Sequence, residues 1–265
     1  MDGIEQINGV NLFVRRFGDP TSPMLVVIHG GPPWDHSYLL PVAELADVAH
    51  VVFFDLRGAG RSDHDVPLQP DLIADDVAAL IRRFGATRAD VLGFSYGGGV
   101  AMRLVEQHPS VVGRLILAAT TAYGDFEPEI PPERAALCRE VPPGDGARAM
   151  AEAALPVTIW RLDRAAEWRA ILAGIRFSRA WDKPYAEGTL KPARPPDAPG
   201  VLRRWGGEVL ILHGEREMTF PPSVARRLHA EVPGSRLELI PEAAHMAHFD
   251  NPSAWLAAVR EFLRG

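Results

Sequence analysis

The chain has a single cysteine, Cys138, which rules out an internal disulfide and any cluster of thiolate metal ligands. Cys138 lies in Pro-rich sequence with no strand-turn-helix signal around it, so it reads as an ordinary residue and not a nucleophile. Lysine is nearly absent too: Lys183 and Lys191 are the only two, and arginine supplies the rest of the positive charge. With a formal net charge of −6, the chain offers no basic stripe for nucleic acid or an anionic membrane. No apolar run reaches the roughly 20 residues needed to span a bilayer. At the N-terminus Asp2 and Glu5 stand where a secretory leader carries basic residues and then an apolar core, so a cytoplasmic location is expected.

What remains is a chain of 265 residues, 47% apolar, long enough for one large core or one core plus a lid. Its first part alternates two periodicities. Apolar runs at 11–17, 24–28, 50–54, 90–94 and 115–118 read as strands, most of them buried on both faces. Between them, Leu72, Val77, Leu80, Ile81 and Phe84 recur at helical spacing just after Pro70, and a second helix is expected over 96–107. The alternation then stops. Eleven of the 24 prolines fall within 121–205, and the pairs at 131–132, 142–143 and 195–196 forbid long helices across those points. It resumes with strands at 208–212 and 237–240, a helix after Pro221 and Pro222, and a last helix over 252–263. Repeated strand-helix units predict an α/β fold with a mainly parallel, doubly wound sheet. The expected division is a core of 1–120 and 206–265 with a helical lid of 121–205 inserted before the last two strands.

The chemistry centres on Gly93-Phe94-Ser95-Tyr96-Gly97, a G-x-S-x-G sequence between an apolar strand and a helix that opens with Gly97, Gly98 and Gly99. A nucleophile held on so sharp a turn needs flanking positions with almost no side chain. The bland alternative is a tight glycine turn whose serine caps the helix.

With these residues the chain resembles the α/β-hydrolase superfamily, and within it the proline-iminopeptidase-like branch, over essentially everything outside the lid. His29-Gly30-Gly31-Pro32-Pro33 is similar to the family's HGGPG oxyanion segment, with Pro33 in place of the last glycine. Asp55-Leu56-Arg57-Gly58-Ala59-Gly60-Arg61-Ser62 resembles its D-x-RG-x-G-x-S segment. The resemblance implies a serine hydrolase without a cofactor or metal. Ser95 would be the nucleophile, and the amides of Gly31 and Tyr96 the oxyanion donors, since Pro32 and Pro33 have no N–H. The chain order of this fold puts the base after the last strand. His245 fits, with Asp250 and Pro252 at the family's spacing behind it; His248, one turn later and without small residues before it, is the competing base, or else a surface or pocket-rim residue. The orienting acid is a departure: Glu217 stands where the family expects aspartate. Asp125, after the strand at 115–118, and Glu215 are the other acids considered.

Four of the six tryptophans, Trp160, Trp168, Trp181 and Trp205, fall in the lid segment, and Trp34 follows the oxyanion segment. Trp34, Trp160 and Trp168 are therefore candidate substrate contacts, and the expected partner is an apolar or aromatic small molecule; the alternative for the lid tryptophans is a small core of their own. Aminopeptidase relatives hold the substrate's amine with lid acids. Asp163 and Glu167 are four apart on a predicted helix, with Arg164 the competing partner for them. The leading reading is hydrolysis of a small ester, lactone or amide. Release of N-terminal proline comes second. Non-hydrolytic chemistry on the same scaffold, such as a lyase, cyclase or acyl transferase, and a silent ligand-binding module come behind it.

Overall fold

A computed structural model describes residues 2–142 and 146–265. Pro143, the second proline of the 142–143 pair, lies outside the described residues. Eight strands form one sheet in the order β1-β2-β4-β3-β5-β6-β7-β8. They are β1 (Asp2–Ile7), β2 (Val10–Phe17), β3 (Met24–Ile28), β4 (His50–Phe54), β5 (Ala89–Phe94), β6 (Val112–Ala118), β7 (Val209–Gly214) and β8 (Arg236–Ile240). From β4 onward every pairing is parallel; only β1 and β2 run antiparallel to their neighbours. The central strands β3, β4 and β5 are buried at every position, which is why they read as continuous apolar runs without alternation.

Successive residues of those strands serve two different cores. Val26, Ile28, Val52 and Phe54 face α1 (Pro70–Arg83) and α2 (Tyr96–Gln107), which bring Val77, Leu80, Ile81, Val100 and Leu104. Leu25, Val27, Val51 and Phe53 face the other way. There they meet Leu39, Val42 and Leu45 of a 3-10 helix, His36–Asp47, and the final helix. Each such side chain contributes on the order of 1.5–3 kcal/mol by burial.

Asp55-to-Ser62 is structural. Asp55 accepts hydrogen bonds from His36 Nδ1 (2.6 Å), His36 N (3.1 Å) and Arg61 N (2.8 Å), and Arg57 grips Asp76 with two bonds of 2.7 Å. Both members of the Arg57–Asp76 pair are buried. They pin the loop after β4 to α1, and removing either would strand a buried charge.

Among the described residues six short α-helices lie between β6 and β7: α3 (Pro132–Ala135), α4 (Gly146–Ala153), α5 (Leu155–Thr158), α6 (Ala165–Gly174), α7 (Asp182–Ala186) and α8 (Ala198–Trp205). The longest has ten residues, as the proline spacing requires. Trp181 is fully buried and donates from Nε1 to the Gly58 carbonyl (3.1 Å), while Arg176 N donates to Asp35 and Ser178 N to the Pro33 carbonyl. These bonds moor the segment to the loops after β3 and β4. Its last helix, α8, packs Ala198, Val201 and Leu202 into the same core as α2. After β7 come α9 (Pro222–Glu231), then β8, α10 (Ala247–Asp250) and α11 (Pro252–Arg264).

Among the elements without a counterpart in the sequence reading are β1 and the 3-10 helix His36–Asp47. β1 is mostly exposed and carries little apolar signal. Its pointer is the turn. Asn8 and Gly9 both have positive φ (48° and 79°), joining Ile7 and Val10 across a two-residue hairpin, the geometry that Asn-Gly favours.

The chain passes from β3 to β4 on one side and then back to β5 on the other. Loops leaving β3 and β5 therefore diverge and open a crevice at their carboxyl ends, the place where sheets of this kind bind ligands. Gly31 follows β3 and Ser95 follows β5.

Candidate active site

Ser95 sits between β5 and α2 at φ 52°, ψ −116°, a conformation costly for a residue with a Cβ. Three hydrogen bonds hold it there. Its N–H donates to the Ala118 carbonyl (2.9 Å), and its carbonyl accepts from Thr120 Oγ1 (2.7 Å) and Gly98 N (2.9 Å). The flanking glycines are sterically required: a Cβ on Gly97 would run into the Ile28 carbonyl oxygen, and one on Gly93 would lie 2.5 Å from that of Gly97. The Ser95 hydroxyl does not cap α2. It lies 3.2 Å from Nε2 of His245.

His245 arrives from the loop after β8, where the small residues before it matter. Ala243 and Ala244 are fully buried beneath the loop. The Ala243 carbonyl accepts from Arg216 N (2.8 Å), and Ala244 N donates to Asp250 Oδ2 (2.9 Å). Asp250 also accepts from the amides of Trp160 and Arg161, so this buried carboxyl fastens the His245 loop to the inserted segment.

Glu217 completes a chain of side chains. Its Oε2 is 2.7 Å from Nδ1 of His245, and its Oε1 accepts from Thr219 N (2.8 Å). Burial pushes the Glu217 carboxyl up, but the neighbouring imidazole, its hydrogen bond and the Thr219 amide prevail, holding it below the usual carboxylate range. The remaining ring nitrogen, Nε2, then faces Ser95 as an acceptor.

The other acids lie elsewhere. Asp125 is exposed, with both carboxylate oxygens 3.1 Å from Arg227 Nη1. Glu215 is exposed and contributes its amide to the Ile240 carbonyl. Asp163 pairs with Arg161 and Glu167 with Arg164, both carboxylates being exposed. His248, the competing base, lies in the interior and not at the surface or pocket rim. The short helix α10 turns it inward among Phe94, Tyr38 and Trp255, where its Nε2–H donates to the Tyr38 carbonyl (3.2 Å).

Burial lowers His248 to about 3 and also holds His29 and His213 below the ordinary histidine value of 6.5. A depressed folded-state value gives stability that is complete above 6.5 and lost as pH falls toward 3. His248 alone is expected to remove about 2 kcal/mol between pH 7 and 5. Urea melts of wild type and His248→Gln check this: the variant's stability should vary less over that interval, and equal slopes would defeat the assignment.

A cavity of about 650 Å³ opens on Ser95, bordered by Gly31 and Tyr96. As the first residue of α2, Tyr96 has no partner for its amide within the helix. The walls are Tyr123, Phe126, Tyr185, Leu190 and Phe220, with Thr120 and Thr121 beside Ser95. None of the tryptophans singled out in the sequence lines it. Trp168 is fully buried against Trp34 and Phe249. Trp160 lies between the guanidinium groups of Arg134 and Arg216. Trp34 packs on Tyr38 and Phe177 and borders a separate apolar cavity with Pro33, Met150 and Tyr185. Trp168 packs into a core, while Trp34 and Trp160 are only partly buried. The aromatic walls that do meet the cavity carry only a faint sequence signal: Phe220 comes three residues after Glu217, and Tyr123 five after the end of β6.

Residues 25–259 match the profile of the alpha/beta hydrolase family. A pimeloyl-[acyl-carrier protein] methyl ester esterase of Neisseria meningitidis is 28% identical over 255 residues, covering 90% of this chain and 93% of that protein. A proline iminopeptidase of Saccharolobus solfataricus is 32% identical, but over 124 residues, 44% of this chain and 40% of that one. Among solved structures, the enol-lactonase of Burkholderia xenovorans superposes with a TM-score of 0.80 at 25% identity, over 99% of this chain and 100% of the other. The strand order, the serine elbow and a match running from β3 into α11 make the chain a member of the alpha/beta hydrolase family.

Proposed function

We propose that the protein is a serine hydrolase cleaving a small-molecule ester or lactone, with Ser95 as nucleophile, His245 as general base and Glu217 as orienting acid. The observation that carries this is the continuous Glu217–His245–Ser95 chain, ending on a hydroxyl at the floor of the cavity. Serine is a weak nucleophile until an adjacent base takes its proton. As Oγ attacks the carbonyl carbon, the proton passes to His245 Nε2, and Glu217 stabilises the imidazolium through Nδ1–H. Negative charge gathers on the former carbonyl oxygen, where the amides of Gly31 and Tyr96 receive it. Collapse expels the alkoxide, which takes the proton from His245 and leaves an acyl-enzyme. Water then enters by the same route, giving its proton to His245 and releasing the acid and Ser95.

In this reading residues 121–205 form the lid over a core of 1–120 and 206–265. Names among the relatives support ester and lactone chemistry over proline release: the match to the methyl ester esterase spans nearly the whole chain and that to the iminopeptidase under half. Charge supports the same choice. Among the described residues no carboxylate lines the cavity, whereas a free substrate amine needs one. Asp163 and Glu167 already have arginine partners.

Turnover of p-nitrophenyl acetate and butyrate beside proline p-nitroanilide tests this. Release from the esters, with the anilide at least about 100-fold poorer in kcat/KM, is expected, since a mismatched charge in the site costs roughly 3 kcal/mol. Preference for the anilide would replace the reading with an aminopeptidase. Silence on all three, with Ser95 unreactive toward a fluorophosphonate, would point to a non-hydrolytic enzyme or a binding module.

A further inference from the structure

Among the described residues the cavity over Ser95 is lined by no aspartate or glutamate, and its cations are Lys191 and Arg194, in a chain whose net charge is negative. Arg194 also borders the adjoining cavity, whose lining includes Asp125, Arg227 and Glu231. Lys191 is taken: its ammonium lies on the Asp71 carboxylate. Arg194 is not. Among the described residues its guanidinium has no hydrogen bond, ion pair or ring partner. Every other buried or half-buried arginine has one, such as Asp76 for Arg57, Asp90 for Arg114, two backbone carbonyls for Arg148, and the Phe84 ring for Arg16. Arg194 is half-buried, and burial draws its guanidinium below the usual arginine value with only a distant carboxylate, Asp125, opposing it. Asp125 itself is bound to Arg227.

The position is built. Arg103, on the third turn of the helix that begins just after Ser95, donates to three successive carbonyls: Pro192 (2.9 Å), Ala193 (3.2 Å) and Arg194 (2.8 Å). Pro195 and Pro196 stiffen the chain directly beyond. The guanidinium itself lies against Gly124, where a Cβ would strike Nη2. A cationic fork is thus carried on a segment tied to α2 through Arg103, partly desolvated, with no hydrogen-bond or ion-pair partner among the described residues.

We infer that Arg194 is the recognition point for a carboxylate on the substrate, so that the enzyme takes acidic esters or lactones. This rests on the hydrolase reading of Ser95. A guanidinium presents parallel N–H groups that match the two oxygens of a carboxylate, and the apolar walls formed by Phe126, Phe220 and Leu190 suit a short carbon chain between that end and the reacting carbonyl. Removing such a charge-assisted contact costs on the order of 10–100-fold in binding.

The test compares two matched pairs: mono-p-nitrophenyl adipate with p-nitrophenyl hexanoate for an acid on the acyl side, and 4-acetoxybenzoate with phenyl acetate for one on the leaving group. Wild type is expected to favour the anionic member of at least one pair by about tenfold or more in kcat/KM. Arg194→Met should cut that ratio by about 10–100-fold, and Arg194→Lys should recover part of it. Gly124→Ala, which keeps the charge but displaces Nη2, should lower the ratio too and serves if Arg194→Met does not fold. Ser95-dependent hydrolysis with neither anion preferred, or a preference that survives Arg194→Met, overturns this inference and leaves the hydrolase reading standing. No Ser95-dependent hydrolysis of any of the four esters overturns both.

Discussion

Replacing Ser95 with alanine is expected to lower kcat on p-nitrophenyl butyrate by on the order of 10⁶-fold, to the level the remaining site supports, while the protein stays folded. The change deletes one atom whose only side-chain partner is His245 Nε2. The backbone bonds to Ala118, Thr120 and Gly98 do not involve Oγ and survive. Alanine also keeps the Cβ, so the strain at φ 52° is unchanged. Ser95→Gly separates the two effects. It should be equally inactive yet more stable than Ser95→Ala by about 1 kcal/mol, because glycine occupies positive φ without the Cβ clash. Thermal melts of the two variants beside their residual rates measure both quantities. A Ser95→Ala protein retaining a tenth of wild-type activity would mean that the nucleophile is elsewhere. If Ser95→Gly were instead the less stable, the elbow would not be a strained turn.

That strain marks the boundary between what the sequence displayed and what it concealed. The buried strands were plain because three adjacent strands lie inside the sheet, and an uninterrupted run such as Met24–Ile28 has no other comfortable place. The elbow was plain because Gly93 and Gly97 cannot carry a side chain where the backbones cross. Each signal is local, written within a few residues of the atom it positions. Cavity walls are not local. Tyr123, Tyr185 and Phe220 come from three separated segments and meet only in the folded chain. The tryptophans of 121–205 carry no such local signal: a large aromatic reads alike whether it faces ligand or core, and Trp168 lies in a core. His248 belongs to this class as well, since only α10 decides that it points toward Phe94 and away from solvent. Asp250 fits the family's spacing after His245, but that it fastens two segments through three backbone amides is visible only in three dimensions.

Glu217 is the position where sequence and geometry make the sharpest joint prediction: Glu217→Gln should cost about 10⁴-fold in kcat, while Asp125→Asn changes it by less than about twofold. In the wild-type site Oε1 is occupied by the Thr219 amide, leaving Oε2 to accept from His245 Nδ1–H. A glutamine that keeps its oxygen on Thr219 must turn its NH₂ toward Nδ1. The imidazole then moves its own proton to Nε2, the nitrogen that has to accept from Ser95, and the base is blocked. Asp125 stands outside this chain, bound to Arg227 at the surface, so its amide should leave the rate alone. Glu217→Asp keeps the charge but draws it back by one carbon–carbon bond, about 1.5 Å, and should fall between the two. The Glu217 carboxyl is held below the usual carboxylate range, so it should keep its charge in acid where an ordinary carboxylate loses it. Full activity in Glu217→Gln together with loss in Asp125→Asn would transfer the acid to the loop after β6, and the 2.7 Å contact with His245 would then be a structural bond only.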